Sequence, residues 1–174
     1  MTLPPADVAV RRVREEDWAQ VRELRLRMLR DTPSAFLERY DDAAAAGERV
    51  WRSRARDGAS GTRSVRFTAV AADGTWVGTM GGFVQRPGDV TLVGVFVDPA
   101  YRGRRAGVAD GLLRAVQAWA VRDAGARTMT LLVHEDNGRA QAYYRRHGFT
   151  DTGRRVPYPL QPAQQEIEMV RPLP

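Results

Sequence analysis

The chain contains 174 residues and has a mass of 19.4 kDa, a length that predicts a single domain, residues 1–174. It has no Cys, which excludes disulfides, cysteine nucleophiles and thiolate metal sites. It also has no Lys, so all 27 basic residues are Arg, which excludes enzymes that depend on a P-loop or Schiff-base lysine. Only two His are present, too few for a three-His metal centre, and we expect no metal.

The charge of the chain is strongly basic, with a net charge of +6 and a pI of about 10.6. This balance is typical of proteins with an anionic partner, such as nucleic acid, a membrane surface or a phosphorylated cofactor. A solvated surface on which Arg replaces Lys is the simpler alternative. The longest uncharged run, residues 74–85, is well short of the roughly 20 residues of a transmembrane helix, and the N-terminus lacks a signal-peptide pattern. We therefore expect no membrane partner and a cytoplasmic location.

Hydrophobic periodicity and turn residues predict an α+β chain. In chain order we predict a strand at 8–13; helices from 15 or 16 to 30, at 34–40 and at 43–56; strands at 65–71, 76–84 and 90–97; a helix at 106–122; a strand at 128–133; a helix at 138–147; and strands at 149–155 and 166–171. This order predicts a mixed, mostly antiparallel, twisted sheet flanked by helices in an α/β three-layer arrangement, with one βαβ-like crossover.

An Arg- and Gly-rich loop lies between a predicted strand and a predicted helix. Gly103 and Gly107 allow the backbone to approach a ligand closely, and the N–H groups at a helix start attract anions. Arg102, Arg104 and Arg105 add guanidinium donors that match phosphate oxygens. The pattern predicts a phosphate-binding loop, with a surface turn as the simpler alternative.

This loop resembles the cofactor motif of the GCN5-related N-acetyltransferases (GNAT), Arg/Gln-x-x-Gly-x-Gly/Ala, which binds the pyrophosphate of acetyl-CoA. The best frame is Arg104-Arg105-Ala106-Gly107-Val108-Ala109. The usual spacing after a proline points instead to Arg102 and Gly103, so this loop has two additional residues. The resemblance leaves the leading pyrophosphate contact open among Arg102, Arg104 and Arg105.

A second motif follows at the expected distance. Residues 133–149 read Val-His-Glu-Asp-Asn-Gly-Arg-Ala-Gln-Ala-Tyr-Tyr-Arg-Arg-His-Gly-Phe and resemble the family pattern Val-x-x-x-Asn-x-x-Ala-x-x-x-Tyr-x-x-x-Gly-Phe. The resemblance implies that Asn137 binds the pantetheine arm and that Tyr144 donates a proton to the departing CoA thiolate. An N-cap role for Asn137 and a core position for Tyr144 are the structural alternatives, and we expect Tyr143 to pack.

A glycine inside a predicted strand, Gly94, marks a β-bulge. The resemblance implies that this bulge splays the strand away from residues 128–133, so that pantetheine inserts between the two strands. It also implies that the segment Val95-Phe96-Val97 contacts the cofactor, with the N–H groups of Val95 and Val97 binding the acetyl carbonyl and the pantetheine.

The general base is not identified by the sequence. Relatives place a catalytic Glu at two positions that are Thr91 and Leu132 here. His134 lies two residues after Leu132 in the predicted strand, so the two side chains are expected on the same face of the sheet. The ordinary His pKa of about 6.5 suits a base. Glu135 and Asp89 are weaker candidates, a strand-end role for His134 is equally compatible, and a relay through water is the alternative that we favour.

The resemblance places the segment after the first helix over the acceptor. Here that segment contains Phe36, Glu38 and Tyr40, an apolar wall with one carboxylate. A carboxylate at Glu38 would attract a protonated amine, whereas a solvated Glu on a short helix is the structural alternative. We therefore predict Phe36, Glu38 and Tyr40 as acceptor-binding residues.

Together these features predict a GNAT-like acyl-CoA N-acyltransferase fold. The expected reaction is transfer of the acetyl group of acetyl-CoA to a primary amine of a small molecule or a protein N-terminus, by direct attack. A CoA-binding sensor and a longer-chain acyltransferase are alternatives with the same fold. An Arg-rich nucleic-acid-binding protein is disfavoured because the Arg residues are scattered along the chain and no zinc-finger or RNP-type aromatic motif is present. Dimers are common in this family, so a homodimer is compatible with the resemblance.

Overall fold

A computed structural model describes residues 8–103 and 107–174. In this part of the chain, five α-helices and seven β-strands follow one another in an α+β order. They are β1 (Val8–Arg12), α1 (Trp18–Asp31), α2 (Tyr40–Ala45), α3 (Glu48–Ala59), β2 (Ser64–Ala71), β3 (Trp76–Arg86), β4 (Asp89–Val97), α4 (Val108–Arg122), β5 (Thr128–His134), α5 (Gly138–Arg146), β6 (Thr150–Pro157) and β7 (Gln165–Pro172). None of these helices is both long enough and apolar enough to cross a membrane.

The seven strands form one sheet in the order β1-β2-β3-β4-β5-β7-β6. Each neighbouring pair is antiparallel except β4 and β5, which are parallel and are connected through α4. The parallel pair requires a crossover, and the periodic apolar face of α4 provides it by covering the sheet. The predicted mixed, mostly antiparallel sheet is confirmed.

Helices cover both faces of the sheet, each over its own apolar core. On one face, residues of α4 that recur at helical spacing pack against the strands, among them Leu112, Val116 and Trp119. On the other face, α1 and α3 contribute Leu24, Met28, Trp51 and Ala55 to a separate core. The predicted three-layer arrangement is therefore confirmed, and the sheet lies between two cores.

The segment between α1 and α3 differs from its prediction. Residues 34–40 do not form a helix: a 3-10 turn at Pro33–Ala35 is followed by an extended Phe36. The Tyr158 hydroxyl donates to the Phe36 carbonyl at 2.9 Å, which removes that acceptor from helical bonding. The predicted helix 43–56 is also divided, because Ala46 is extended and Gly47 caps α3, while the Trp51 indole N–H donates to the Ala46 carbonyl at 3.1 Å.

The strand β4 contains the predicted bulge. Val93 pairs with Gly81 and Phe96 with Thr79, so Gly94 and Val95 together lie opposite Met80. Gly94 has a φ of +60°, a left-handed conformation that costs glycine little and other residues more. The pairing of β4 with β5 ends at Thr91 and Thr130, so the two parallel strands separate from that point onward.

Candidate functional site

Two cavities adjoin the point where β4 and β5 separate. One, of about 520 Å³, is called the tyrosine cavity here and is lined by Val95 from the bulge together with residues of α4 and α5. The other, of about 690 Å³, is called the arginine cavity and is lined by Gly94 together with residues of α1, α3 and β7. The bulge therefore contributes one residue to each cavity, and Phe36 lines both of them.

Most of the predicted cofactor residues in the described part of the chain line the tyrosine cavity. They are Val95, Phe96, Val97, Arg102, Gly103, Gly107, Ala109, Asn137 and Tyr144. Val108 instead lies in the core beneath α4, where it is buried. The predicted residues Arg104, Arg105 and Ala106 lie outside the described residues, so the frame of the Arg-rich loop stays a prediction.

Backbone N–H groups at two places can serve as donors to this cavity. Beyond Thr91 the edge of β4 that faces β5 has no strand partner in the described sheet. The start of α4 is the second place: Gly107 has a φ of +61°, and the first helical hydrogen bond runs from the Gly111 N–H to the Gly107 carbonyl. The N–H groups that precede Gly111 in this turn are therefore available to an anion.

Arg102 makes several contacts within the protein. Its Nε donates to the Val97 carbonyl at 2.7 Å, its guanidinium pairs with Asp31, and it lies 5.7 Å from the Phe96 ring centroid. These contacts connect the end of β4 with the end of α1. Much of the donor capacity of Arg102 is thus used to hold the loop in place.

Asn137 caps α5, with its Oδ1 accepting from the Ala140 N–H at 3.1 Å. Within residues 8–103 and 107–174 its side-chain NH₂ makes no hydrogen bond, so this group is available to a ligand. The capping role considered from the sequence is therefore observed, and the remaining NH₂ is compatible with the predicted contact to pantetheine.

Tyr144 has only 6% of its surface exposed, and it contacts Phe149 edge-to-face with ring centroids 5.7 Å apart. Burial raises the pKa of Tyr144 above its ordinary value of 10.0, so the hydroxyl keeps its proton at neutral pH. Tyr143, which was expected only to pack, also lines the tyrosine cavity. Burial and the nearby carboxylate of Asp110 raise its pKa as well, and its ring lies 4.4 Å from that of His147.

His134 is buried at the end of β5 and lines neither cavity. Its Nδ1 accepts from the Asp136 N–H at 3.2 Å, and its Nε2 lies 3.0 Å from the Gln164 amide oxygen. This network places the proton on Nε2, and both ring nitrogens are engaged. The ring also packs edge-to-face against Tyr158 at 5.0 Å. These contacts match the strand-end alternative for His134 and leave no free nitrogen for an acceptor proton.

The two weaker base candidates are also engaged in structural contacts. Asp89 accepts hydrogen bonds from the hydroxyls of Thr128 at 2.7 Å and Thr130 at 3.2 Å, at the start of the β4–β5 pairing. Glu135 accepts from the Gln165 N–H at 2.8 Å. Both carboxylates therefore hold neighbouring strands together, and neither lines one of the two cavities.

One wall of the arginine cavity carries guanidinium groups from three separate elements: Arg25 from α1, Arg54 from α3 and Arg66 from β2. The predicted acceptor residue Glu38 lies between them and accepts from Arg25 at 2.8 Å and from Arg54 at 2.7 Å. Burial acts to raise the pKa of Glu38, but the hydrogen bonds from Arg54 and Arg25 outweigh it and lower the pKa. Glu38 thus lines this cavity with its charge already paired, and its role in binding an acceptor stays a prediction.

In the strand order β7 and β6 lie on the other side of the β4–β5 opening from β2, and they contribute Glu166, Glu168 and Arg154 to what is called the opposite wall here. Arg154 pairs with Glu168 at 2.7 Å. Glu166 is buried, and its Oε2 makes no hydrogen bond within the described residues. Burial raises the pKa of Glu166, although His134 partly offsets the shift.

The three predicted acceptor residues are not brought together. Phe36 and Glu38 line the arginine cavity, whereas Tyr40 begins α2 and lines neither cavity. The Tyr40 hydroxyl instead accepts a hydrogen bond from Arg30. Tyr158, which the sequence did not single out, fixes the segment at Phe36 in place between the cavities.

Sequence reasoning also missed the residues that give the arginine cavity its charge. Arg25, Arg54 and Arg66 are far apart in the chain, and in a chain with 27 basic residues none of them is conspicuous. The alternation of side chains along β2 was the one sequence feature that could have indicated Arg66, since Arg66 is on the same face of the strand as the buried Thr68. An Arg on the same face as a buried residue indicates an inward-facing charge.

Residues 18–149 match the sequence model of the acetyltransferase (GNAT) family. The chain belongs to the GNAT family. This membership supports an acyltransferase that uses an acyl-CoA co-substrate. Within the described residues no group of three His, Asp or Glu side chains could hold a metal ion.

Solved structures share the fold of this GNAT chain over nearly its whole length. A GNAT acetyltransferase from Streptococcus pneumoniae has a TM-score of 0.81 at 18% identity, covering 97% of this chain and 100% of that one. A GCN5-related N-acetyltransferase from Kribbella flavida has a TM-score of 0.73 at 26% identity, covering 95% and 98%. Spermidine N-acetyltransferase from Vibrio cholerae has a TM-score of 0.74 at 15% identity, covering 95% of each chain. No curated protein shows significant sequence similarity to the chain.

Proposed function

We propose that the chain is a single N-acetyltransferase domain that transfers the acetyl group of acetyl-CoA to a primary amine by direct attack. The observation that carries this proposal is the separation of β4 from β5 beyond Thr91, with a cavity on each side of the bulge at Gly94. An acyl donor in the tyrosine cavity and an amine in the arginine cavity would meet at that bulge.

The tyrosine cavity has the donors that an acyl-CoA requires. The loop at Gly103 and Gly107, followed by the start of α4, suits a pyrophosphate. The free edge of β4 at Val95 and Val97 suits the amides and carbonyl of a pantetheine arm, as does the side-chain NH₂ of Asn137. These residues would hold the co-substrate with its thioester near the bulge.

The reaction then needs one nucleophile and two proton transfers. The neutral acceptor nitrogen attacks the thioester carbonyl carbon, the C–S bond breaks, and the sulfur leaves with the proton of the Tyr144 hydroxyl. The nitrogen loses its extra proton to water in the arginine cavity, and water returns a proton to Tyr144. The raised pKa of Tyr144 supports this role because the hydroxyl is protonated when it is needed. The absence of Cys supports direct attack over a cysteine-linked acyl enzyme.

The test is a release assay for free CoA with a panel of amines, run with acetyl-CoA and with propionyl-CoA. We expect amine-dependent CoA release that is faster with acetyl-CoA, and we expect Tyr144→Phe to slow it. Retention on CoA-agarose with elution by free CoA measures binding separately. Retention without transfer to any amine would contradict the enzymatic proposal and favour a CoA sensor, and faster turnover of propionyl-CoA would indicate a longer-chain acyltransferase.

A further inference from the structure

The guanidinium of Arg66 is a half-buried charge without a counter-charge. Within residues 8–103 and 107–174 it makes no hydrogen bond, and no carboxylate oxygen lies within 4.0 Å of it. Its neighbours Arg25 and Arg54 share the one carboxylate of this wall, Glu38. A buried charge is normally paired because desolvation without a partner is costly, so the wall lacks an anion.

The position of Arg66 relates this missing anion to the reaction. Arg66, Gly81 and Val93 are in register across β2, β3 and β4. Since Gly81 has no side chain, Arg66 can extend across β3 toward the bulge. A methyl group placed on Gly94 would lie 3.1 Å from Nη1 of Arg66. The guanidinium therefore ends beside the bulge where the acyl group and the amine are proposed to meet.

The two walls of the arginine cavity differ in charge. Arg25, Arg54 and Arg66 outnumber Glu38 on one wall, whereas Glu166 and Glu168 outnumber Arg154 on the other. A cavity with charges of opposite sign on facing walls suits a ligand that itself carries both signs. A polyamine would place positive charge against the three Arg, and it fits this cavity poorly.

Resting on the proposed function, we propose that the acceptor is an amine that carries a carboxylate close to the reacting nitrogen, as α-amino acids do, and that Arg66 binds this carboxylate. The planar guanidinium can donate two parallel hydrogen bonds, one to each carboxylate oxygen, in a bidentate pair. With the carboxylate held at Arg66, the neighbouring nitrogen lies at the bulge. The apolar side chains of Met28, Phe36 and Trp51 that also line the cavity suit an apolar group on the same acceptor.

The experiment compares matched acceptors that differ only in the carboxylate. L-Leucine, L-methionine and L-phenylalanine are each compared with their C-terminal amide and with the amine that lacks the carboxylate, by CoA release from acetyl-CoA. For the wild type we expect kcat/KM to be about 10-fold or more higher for at least one of the amino acids than for its amide, as loss of one charge-assisted contact implies. Amides or simple amines that react as well as the amino acids would overturn the proposal.

Two variants assign the preference to the proposed residue. Arg66→Met keeps an unbranched side chain of similar length and should abolish the preference for the amino acid over its amide. Arg63→Met is the matched control, since Arg63 is exposed, lies before the same strand and lines neither cavity. It should leave the preference unchanged, and a preference that survives in Arg66→Met would refute the assignment.

A binding measurement without acetyl-CoA separates this proposal from the proposed reaction. Each amino acid is titrated into the free protein, and the rise in melting temperature is compared between wild type and Arg66→Met. Stabilisation of the wild type alone, without acetyl transfer, would support the carboxylate site and contradict the N-acetyltransferase proposal. Acetyl transfer to amines with no stabilisation by any of the amino acids would support the enzyme and contradict the carboxylate site.

Discussion

Removal of the Arg66 charge should stabilise the free protein. Burial, and repulsion from Arg25 and Arg54, lower the pKa of Arg66 from 12.5 to about 10. At about 1.36 kcal/mol per pKa unit, this shift disfavours the charged side chain in the folded state by ~3 kcal/mol. Arg66 is only partly buried and lines a cavity, so solvent screening reduces this figure, and we expect a net cost of about 1–2 kcal/mol. Arg66→Met should remove that cost.

The size of this stabilisation depends on pH in a defined way. Because the folded-state pKa is lower than the unfolded-state pKa, the folded protein holds this proton less tightly. The cost is therefore fully present below pH of about 10 and decreases as the pH rises through that value. The stabilisation by Arg66→Met should be constant across neutral pH.

The assay is thermal and urea unfolding of wild type, Arg66→Met and Arg63→Met. A gain of about 1–2 kcal/mol corresponds to a rise in Tm of roughly 2–8 °C for a domain of this size. The exposed control Arg63→Met should stay within about 0.5 kcal/mol of wild type. A loss of stability in Arg66→Met would refute the reasoning, because it would show that the guanidinium has a stabilising partner in the folded protein.

Three further outcomes follow from the site. Tyr144→Phe should lower kcat by about 100-fold with little change in Tm, whereas Tyr143→Phe should lower kcat much less; equal effects in steady-state assays would contradict the assignment of Tyr144 as the acid. Glu166→Gln should raise the free energy of unfolding at pH 8, since burial raises the pKa of this carboxyl. The gain should shrink as the pH falls through the raised pKa and be absent below the ordinary value of 4.5. An unchanged or larger gain at acid pH, measured by urea titration, would contradict this prediction. His134→Gln should leave the shape of the pH profile of kcat/KM unchanged, because both ring nitrogens are already bonded; a limb near about pH 6–7 that disappears in the variant would instead identify His134 as the base.

The features of the fold that sequence reasoning predicted are those set by local pattern. Alternation and turn residues predicted the strands, and a glycine within a strand predicted the bulge at Gly94. The segment around Phe36 was predicted as a helix because its local propensity allows one. The hydrogen bond from Tyr158, more than a hundred positions away in the chain, decides otherwise, and local periodicity contains no information about such a contact.

In the candidate site, too, the sequence predicted what local motifs determine and missed what tertiary contacts determine. The two motifs predicted a co-substrate site, and the structure brings Gly107, Asn137 and Tyr144 of these motifs to one cavity. The acceptor side was predicted from a single short segment, so its charge was inferred from one residue. The arginines that determine that charge come from α1, α3 and β2, and only the tertiary structure brings them to one wall.

Glu38 shows how the tertiary structure reverses an expectation. Considered alone, its carboxylate should attract a cationic acceptor, and Glu38→Gln should then raise the KM for that acceptor. In the structure Oε2 of Glu38 accepts hydrogen bonds from Arg25 and Arg54, and Oε1 accepts one from Arg54, while the wall that contains Arg66 remains positive. Glu38→Gln keeps a hydrogen-bond acceptor beside Arg25 and Arg54. It removes one negative charge, so the net charge of the wall becomes more positive by one unit.

We therefore expect the KM for an amino acid to fall by roughly 2–5-fold in Glu38→Gln, since a unit charge near a protein surface contributes on the order of 1 kcal/mol. The KM for the matching amine without a carboxylate should rise or stay unchanged, and the KM for acetyl-CoA should not change. The ratio of the two acceptor KM values is the decisive measurement because a general loss of packing would move both in the same direction. A rise in the KM for the amino acid would show that Glu38 contacts the acceptor ammonium, as the sequence alone suggested.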